Sequence, residues 1–230
     1  MNEDNIDFAQ VPFREISIVK VCGMRDASNI REVEKIGIDW MGFIFHLKSS
    51  RAVKRVPAYL PAKVKRVGVF VNESIENILE TTSLFQLDFV QLHGDESPDF
   101  CDEMGKNGLK VIKAFSIANK FPKQKVVAYH GKCDYFLFDT KTSLYGGSGK
   151  KFDWEVLSDY HGETPFLLSG GISEDDAEEI LAFSHPQFVG IDINSKFEIS
   201  PALKDVQKIS EFIGLLIQKS QEPRQKTSDF

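Results

Sequence analysis

The chain has 230 residues, 42% of them hydrophobic and 27% charged, proportions typical of a globular protein with a sizeable core. The 28 Lys and Arg against 34 Asp and Glu give a formal net charge of −6, and no long basic stripe supports a nucleic-acid partner. The polar start is unlike a signal peptide, and no apolar run approaches the ~20 residues of a membrane span. Three cysteines without metal-ligand spacing are typical of reduced thiols, so we expect a cytoplasmic protein without a metal site or a membrane association.

Short β-branched and aromatic runs alternate with amphipathic stretches along most of the chain. Several of the apolar runs are hydrophobic throughout, as in parallel strands that are buried on both faces. They predict strands at residues 16–21, 40–45, 64–71, 89–92, 110–114, 135–138, 165–168 and 188–191. Helical periodicity predicts helices at residues 28–36, 74–82, 176–183 and 204–217, and predicted helix N-caps are Asn72, Ser97 and Ser173.

About eight strand–helix units predict an α/β fold, the (β/α)₈ TIM barrel, as a single domain over residues 16–218. A doubly wound open sheet is the structural alternative, but no glycine-rich nucleotide fingerprint follows the first predicted strand. Residues 1–15 are predicted to be an N-terminal extension, and residues 219–230 a disordered polar tail.

Two reactive side chains stand at the C-terminal ends of predicted strands, where barrel enzymes place their chemistry. Cys22 follows the first strand, and Lys20 points to the same side of it, so the Lys20 ammonium is expected to favour the thiolate and make Cys22 a usable base. Asp139 ends the sixth apolar run, where a carboxyl loses solvation and can stay protonated to act as an acid. Structural alternatives remain open: Cys22 as a small buried hydrophobe, and Asp139 as a helix or loop cap.

Further polar loops follow the other predicted strands. Arg51, after the second strand, could hold a carboxylate, although a basic surface loop is the default interpretation. The pairs Gly170-Gly171 and Asn194-Ser195 follow the seventh and eighth strands, where TIM barrels often bind phosphate. His93 ends the fourth strand and is either structural or catalytic. The segment GGSGK at 146–150 lacks residues that a nucleotide-triphosphate loop requires and predicts a mobile lid over the substrate.

Taken together, these segments resemble the phosphoribosylanthranilate isomerase family, a barrel family of tryptophan biosynthesis. No single segment is decisive, but the ordered series over about residues 16–217 is specific. The series runs through KVCG at 20–23, GFIF at 42–45, KSSR at 48–51, GVFVN at 68–72, VQLHG at 90–94, FDTKT at 138–142, YGGSGK at 145–150, FDW at 152–154 and LSGG at 168–171.

The resemblance implies an isomerase that converts N-(5-phosphoribosyl)anthranilate to 1-(2-carboxyphenylamino)-1-deoxyribulose 5-phosphate. This Amadori rearrangement needs no cofactor. By position, Cys22 would be the general base and Asp139 the general acid. Arg51 would hold the anthranilate carboxylate, and the loops at Gly170-Gly171 and Asn194-Ser195 would bind the phosphate of this small-molecule substrate.

Two departures from the family pattern concern binding rather than the catalytic pair. His46-Leu47 stands where the family has an aromatic residue and a proline. Asn194 and Lys196 replace a serine and a glycine of the last loop, where Lys196 could compensate as a point charge. Two alternatives remain: an isomerase of the histidine-pathway type, which has aspartate at the position of Cys22, and a non-catalytic barrel that binds a phosphorylated ligand. The oligomeric state stays open between monomer and homodimer.

Overall fold

The computed structural model describes residues 16–140 and 151–221, whose eight main strands close into a parallel barrel. Each strand pairs with the next along the chain, and the eighth pairs with the first. The predicted (β/α)₈ barrel is confirmed. Its strands are β1 Ile18–Val21, β2 Trp40–Ile44, β3 Lys65–Phe70, β4 Phe89–Leu92, β5 Lys110–Ile117, β6 Tyr135–Thr140, β7 Phe166–Leu168 and β8 Phe188–Ile193.

Helices connect the strands and pack on the outside of the barrel. The α-helices are α1 Ala27–Lys35, α2 Ile75–Phe85, α3 Pro98–Lys106, α4 Lys123–Val127, α5 Ala177–Ala182 and α6 Val206–Gln221. Short 3₁₀ segments lie at Trp154–Asp159, Glu174–Asp176 and Ser195–Phe197, and the last leads into a hairpin of β9 Glu198–Ser200 and β10 Leu203–Lys204. Within the described ranges, every helix is too short or too polar to cross a lipid bilayer.

Some strand and helix ends differ from the prediction because hydrogen bonding continues past them. Ile117 pairs with Thr140, so β5 and β6 both run beyond their predicted ends and Asp139 lies inside β6. Helix α6 reaches Gln221, three residues past the predicted domain end at residue 218. The predicted N-terminal extension and the remainder of the predicted tail lie outside the described residues.

Two of the three predicted N-caps are confirmed. Ser97 accepts a hydrogen bond from the Phe100 N–H at the start of α3, and Ser173 caps the 3₁₀ segment before α5. Asn72 is not a cap, because its backbone is left-handed, with φ at 50°, rather than extended. Ser74 caps α2 instead.

The barrel interior changes from apolar to polar towards the C-terminal ends of its strands. The lower interior is filled by a cluster of buried side chains from β2 to β7: Trp40, Val67, Phe89, Ile112, Ala114, Leu137 and Leu167. A second, larger cluster fills the space between strands and helices. Above the lower cluster, the buried interior residues include Lys20, Gln91 and Asp192. The fold therefore places a polar layer directly beneath the mouth.

Candidate active site

Cys22 directly follows β1 at the C-terminal mouth and is 4% exposed. Its N–H donates to the Ile193 carbonyl at 2.9 Å, which continues the pairing of β1 with β8 for one more residue. Gly42 on β2 leaves the space that the thiol occupies, since a Cβ at this position would lie 2.8 Å from the Cys22 Sγ. A larger residue in place of Gly42 would displace the thiol.

Lys20 is fully buried beneath this thiol, on the side of β1 that the sequence predicts. Its Nζ donates to Asp192 Oδ1 at 2.9 Å. Burial works to lower the pKa of Lys20, but Asp192 and Cys22 outweigh it and raise that pKa. The ammonium of Lys20 is therefore paired with the Asp192 carboxylate and stabilised further by the nearby Cys22.

Burial raises the pKa of the Cys22 thiol above its ordinary value. Lys20 and Lys204 act in the opposite direction, because an ammonium stabilises a thiolate, whereas Asp192 adds to the rise. As expected, Lys20 lowers the pKa of Cys22. The net shift of that pKa is nevertheless upward, because the desolvation of a buried thiolate outweighs the effect of Lys20. The resting form of Cys22 is the thiol, with two ammonium groups placed to stabilise the thiolate.

Asp139 lies at the mouth on β6, with 26% of its side chain exposed. Its Oδ1 accepts a hydrogen bond from the Thr140 N–H at 2.8 Å, and its Oδ2 is 3.2 Å from His93 Nε2. Gly170 comes so close that a Cβ there would lie 2.6 Å from Asp139 Oδ1. With φ at 88° as well, this position of the loop after β7 requires glycine.

A buried carboxylate lies between the two candidate reactive groups. Cys22 follows β1 and Asp139 lies on β6, and β7 and β8 separate these two strands around the barrel. Asp192 on β8 is 5% exposed and also lies 3.4 Å from the Ser169 hydroxyl, which donates to it. Burial raises the pKa of Asp192, Lys20 opposes this rise, and the charge of Asp139 adds to it. Thiol and carboxyl are both within electrostatic reach of Asp192.

Arg51 reaches the same mouth from the loop after β2, where Glu198 holds it. Its Nε lies 2.9 Å from Oε1 and its Nη2 2.7 Å from Oε2, a bidentate pair whose side chains are 13% and 4% exposed. Lys204 donates to the same carboxylate at 2.6 Å and to Asn194 Oδ1 at 2.6 Å. Burial opposes ionisation of Glu198, but Arg51 and Lys204 together hold its pKa below the ordinary value.

The two loops predicted to bind phosphate also lie at this mouth. Gly170 and Gly171 follow β7 with φ of 88° and 79°. Asn194 follows β8 and precedes the 3₁₀ segment that Ser195 begins. A Cβ on Gly23 would lie 2.9 Å from both Arg51 Cδ and Asn194 Oδ1, so the Asn194 side chain faces Arg51. The structure brings all the predicted site residues to one end of the barrel, and the contact that each makes with a substrate stays a prediction.

Sequence reasoning did not single out Asp192, Glu198 or Lys204. Side chains alternate along β8, so Asp192 lies on the same side as Asn194. This alternation could have identified Asp192 from the sequence. No sequence pattern indicated that the hairpin would bring Glu198 and Lys204 to Arg51. The predicted lid at 146–150 lies outside the described residues. Within residues 16–140 and 151–221, no three His, Cys, Asp or Glu side chains are grouped so as to hold a metal ion.

Comparison with known proteins identifies the family of this barrel. The family model described as N-(5′phosphoribosyl)anthranilate (PRA) isomerase matches residues 19–214. The N-(5′-phosphoribosyl)anthranilate isomerase of Parabacteroides distasonis is 52% identical over 211 residues, which cover 89% of this chain and 96% of the relative. Both matches span nearly the whole barrel.

Solved structures agree with this match. The phosphoribosyl anthranilate isomerase from Thermotoga maritima aligns with a TM-score of 0.77 at 35% identity, covering 87% of this chain and 98% of that one. A phosphoribosyl anthranilate isomerase in complex with reduced 1-(o-carboxyphenylamino)-1-deoxyribulose 5-phosphate aligns with a TM-score of 0.74 at 31% identity and the same coverage. This chain belongs to the N-(5′-phosphoribosyl)anthranilate isomerase family.

Proposed function

We propose that this protein converts N-(5-phosphoribosyl)anthranilate to 1-(2-carboxyphenylamino)-1-deoxyribulose 5-phosphate, a step of tryptophan biosynthesis. The observation that supports it best is the pair of Cys22 and Asp139 at one barrel mouth, in a chain of this family. The Amadori rearrangement moves protons within one molecule and transfers no group to a second substrate. A base and an acid on two sides of the sugar are sufficient for it.

Asp139 acts first, as the acid. The ring oxygen of the aminoaldose must gain a proton before the ring opens to an iminium. Asp139 is partly exposed, so a substrate in the mouth can reach it. The Thr140 N–H and His93 contact its two oxygens, so the carboxylate left after proton donation is hydrogen-bonded at once.

Cys22 acts second, as the base, in its thiolate form, after the thiol proton has passed to water at the mouth. The iminium formed by ring opening makes the C2′ proton more acidic, and its positive charge favours an anion close by. This charge adds to Lys20 and Lys204, which already oppose the effect of burial on the pKa of Cys22. Removal of the C2′ proton gives an enolamine, which tautomerises to the aminoketone product.

Arg51 holds the anthranilate carboxylate at the side of the mouth formed by β2. Glu198 engages its Nε and Nη2, which fixes the plane of the guanidinium and leaves Nη1 for a ligand, as far as the described residues show. The phosphate binds between Gly170-Gly171 and Asn194-Ser195, where a left-handed glycine pair and the start of a 3₁₀ turn present backbone N–H groups. The phosphorylated analogue bound by a solved relative supports a substrate of this class.

A fluorescence time course on freshly made substrate tests the function. Anthranilate and ribose 5-phosphate condense to the substrate with loss of water, and the product is confirmed by chromatography. We expect the fluorescence to fall at a rate proportional to the protein concentration. A trace no faster than that of protein-free buffer would contradict the proposal and favour a non-catalytic phospho-ligand barrel. Preferential turnover of the histidine-pathway aminoaldose, assayed in parallel, would reassign the substrate.

A further inference from the structure

We propose that His93 is a positioning residue for ring opening. Held by Gln91, it donates a hydrogen bond from Nε2 to Asp139 and stabilises the carboxylate that Asp139 becomes when it protonates the ring oxygen. The inference rests on the proposed function and assigns a role to a histidine that the sequence left undecided between structure and chemistry.

Three side chains form a hydrogen-bonded chain from the barrel interior to the mouth. Gln91 Nε2 lies 2.9 Å from His93 Nδ1, and His93 Nε2 lies 3.2 Å from Asp139 Oδ2. An amide nitrogen only donates, so Nδ1 is the acceptor and the proton of the neutral ring is on Nε2. The N–H of the imidazole therefore points at the acid.

The position of the Gln91 side chain that serves His93 leaves its own side-chain carbonyl without a hydrogen bond among the described residues. The residue is 1% exposed on β4, and its Oε1 is buried without a hydrogen-bond partner among the described residues. The side-chain N–H of Gln91 fixes the ring of His93, while the Oε1 acceptor of the same amide is left without a hydrogen bond in the described part of the chain. Packing alone does not require a buried acceptor to stay unsatisfied. The opposite tautomer would turn a lone pair of Nε2 towards Asp139, a repulsive contact once the acid has lost its proton.

The backbone on both sides of His93 is fixed by a buried lysine. Lys113 is fully buried, and its Nζ donates to the Leu92 carbonyl at 3.0 Å and to the Gly94 carbonyl at 2.8 Å. It also pairs with Glu96 at 2.9 Å, and Glu96 accepts the Gly94 N–H in turn. The imidazole is therefore held in place before a substrate arrives, which is what stabilisation of a developing charge requires.

Three variants separate this role from others. His93→Ala removes the N–H next to Asp139 and should lower kcat about 10²-fold, the loss typical of one preorganised donor, with little change in KM. His93→Gln keeps an N–H on a side chain of similar reach and should restore most of the loss. The matched control is His185→Gln, because His185 lies before β8, far from the mouth, and donates to the Tyr160 carbonyl at 3.0 Å. It should leave kcat unchanged.

The kinetic isotope effect of deuterium at C2′ tests this role, because a purely structural role of His93 would leave that isotope effect unchanged. Ring opening precedes removal of the C2′ proton, so a slower ring opening hides the isotope effect of the later step. We expect a smaller effect on the single-turnover rate for His93→Ala than for the wild type, and a recovered effect for His93→Gln. Normal turnover in His93→Ala, or a slow variant with an unchanged isotope effect, would overturn the inference.

A measurement on the resting protein separates this inference from the proposed function. ¹⁵N NMR of the histidine rings should show His93 protonated at Nε2, and a proton at Nδ1 alone would overturn the inference whatever the activity. An inactive wild-type protein would instead refute the function, whereas an active wild type with the wrong tautomer would refute only the role of His93.

Discussion

Cys22→Ala and Asp139→Asn should each reduce turnover about 10²–10⁴-fold, the usual contribution of a positioned proton transfer. Alanine offers no base for the C2′ proton, and an amide cannot supply the proton that the ring oxygen needs. Both side chains lie at the mouth rather than in the apolar clusters that hold the barrel together. Initial rates and thermal unfolding should therefore show slow but folded proteins.

Two further variants make this result specific to the proposed mechanism. Cys22→Asp supplies a carboxylate base at the same position and should recover measurable turnover. Cys22→Ala combined with Asp139→Asn should lose less than the product of the two single losses, because both residues serve one reaction. Near-normal turnover in Cys22→Ala would remove the thiol from the mechanism, and near-normal turnover in Asp139→Asn would remove the acid.

Lys20→Met should destabilise the fold by about 3–5 kcal/mol, because it leaves the partner of a buried ion pair without its counter-charge. The Lys20 and Asp192 side chains are 0% and 5% exposed and lie 2.9 Å apart, so little water can replace the ammonium. Urea unfolding at neutral pH measures the change, through a lower midpoint at an unchanged slope.

An exposed ion pair provides the control for this prediction. Lys65 and Asp88 lie 2.8 Å apart, but their side chains are 61% and 31% exposed, so Lys65→Met should cost only about 0–1 kcal/mol. Lys20→Met combined with Asp192→Asn should regain part of the lost stability, because the unpaired charge is gone. An equal cost for Lys20→Met and Lys65→Met would show that the buried pair does not stabilise the fold.

The barrel and its reactive pair could be predicted because both depend on local patterns. Continuous apolar runs indicate strands that are buried on both faces, and their C-terminal ends locate Cys22 and Asp139 within one or two residues. The alternation along β1 likewise placed Lys20 beneath the thiol. These features need no knowledge of which distant segments meet.

The electrostatics of the site could not be predicted from the same patterns. The net pKa shift of Cys22 depends on how completely the barrel buries it, which no local segment determines. Arg51 and Glu198 are 147 positions apart, and a hairpin without a sequence signal brings them together. The left-handed backbone of Asn72 also depends on a residue distant in the sequence, because Glu96, from the loop after β4, accepts the Asn72 N–H at 2.8 Å.

A crystal structure of this protein with reduced 1-(o-carboxyphenylamino)-1-deoxyribulose 5-phosphate tests most directly the central claim, that Cys22 and Asp139 flank the sugar. The Cys22 Sγ should lie roughly 3–3.5 Å from C2′, with an Asp139 oxygen within hydrogen-bond distance of O4′, the former ring oxygen. Arg51 should pair with the aromatic carboxylate, and the phosphate should contact Gly170-Gly171 and Asn194-Ser195. An analogue bound with both reactive side chains out of reach of the sugar, or with its phosphate on Arg51, would contradict this assignment.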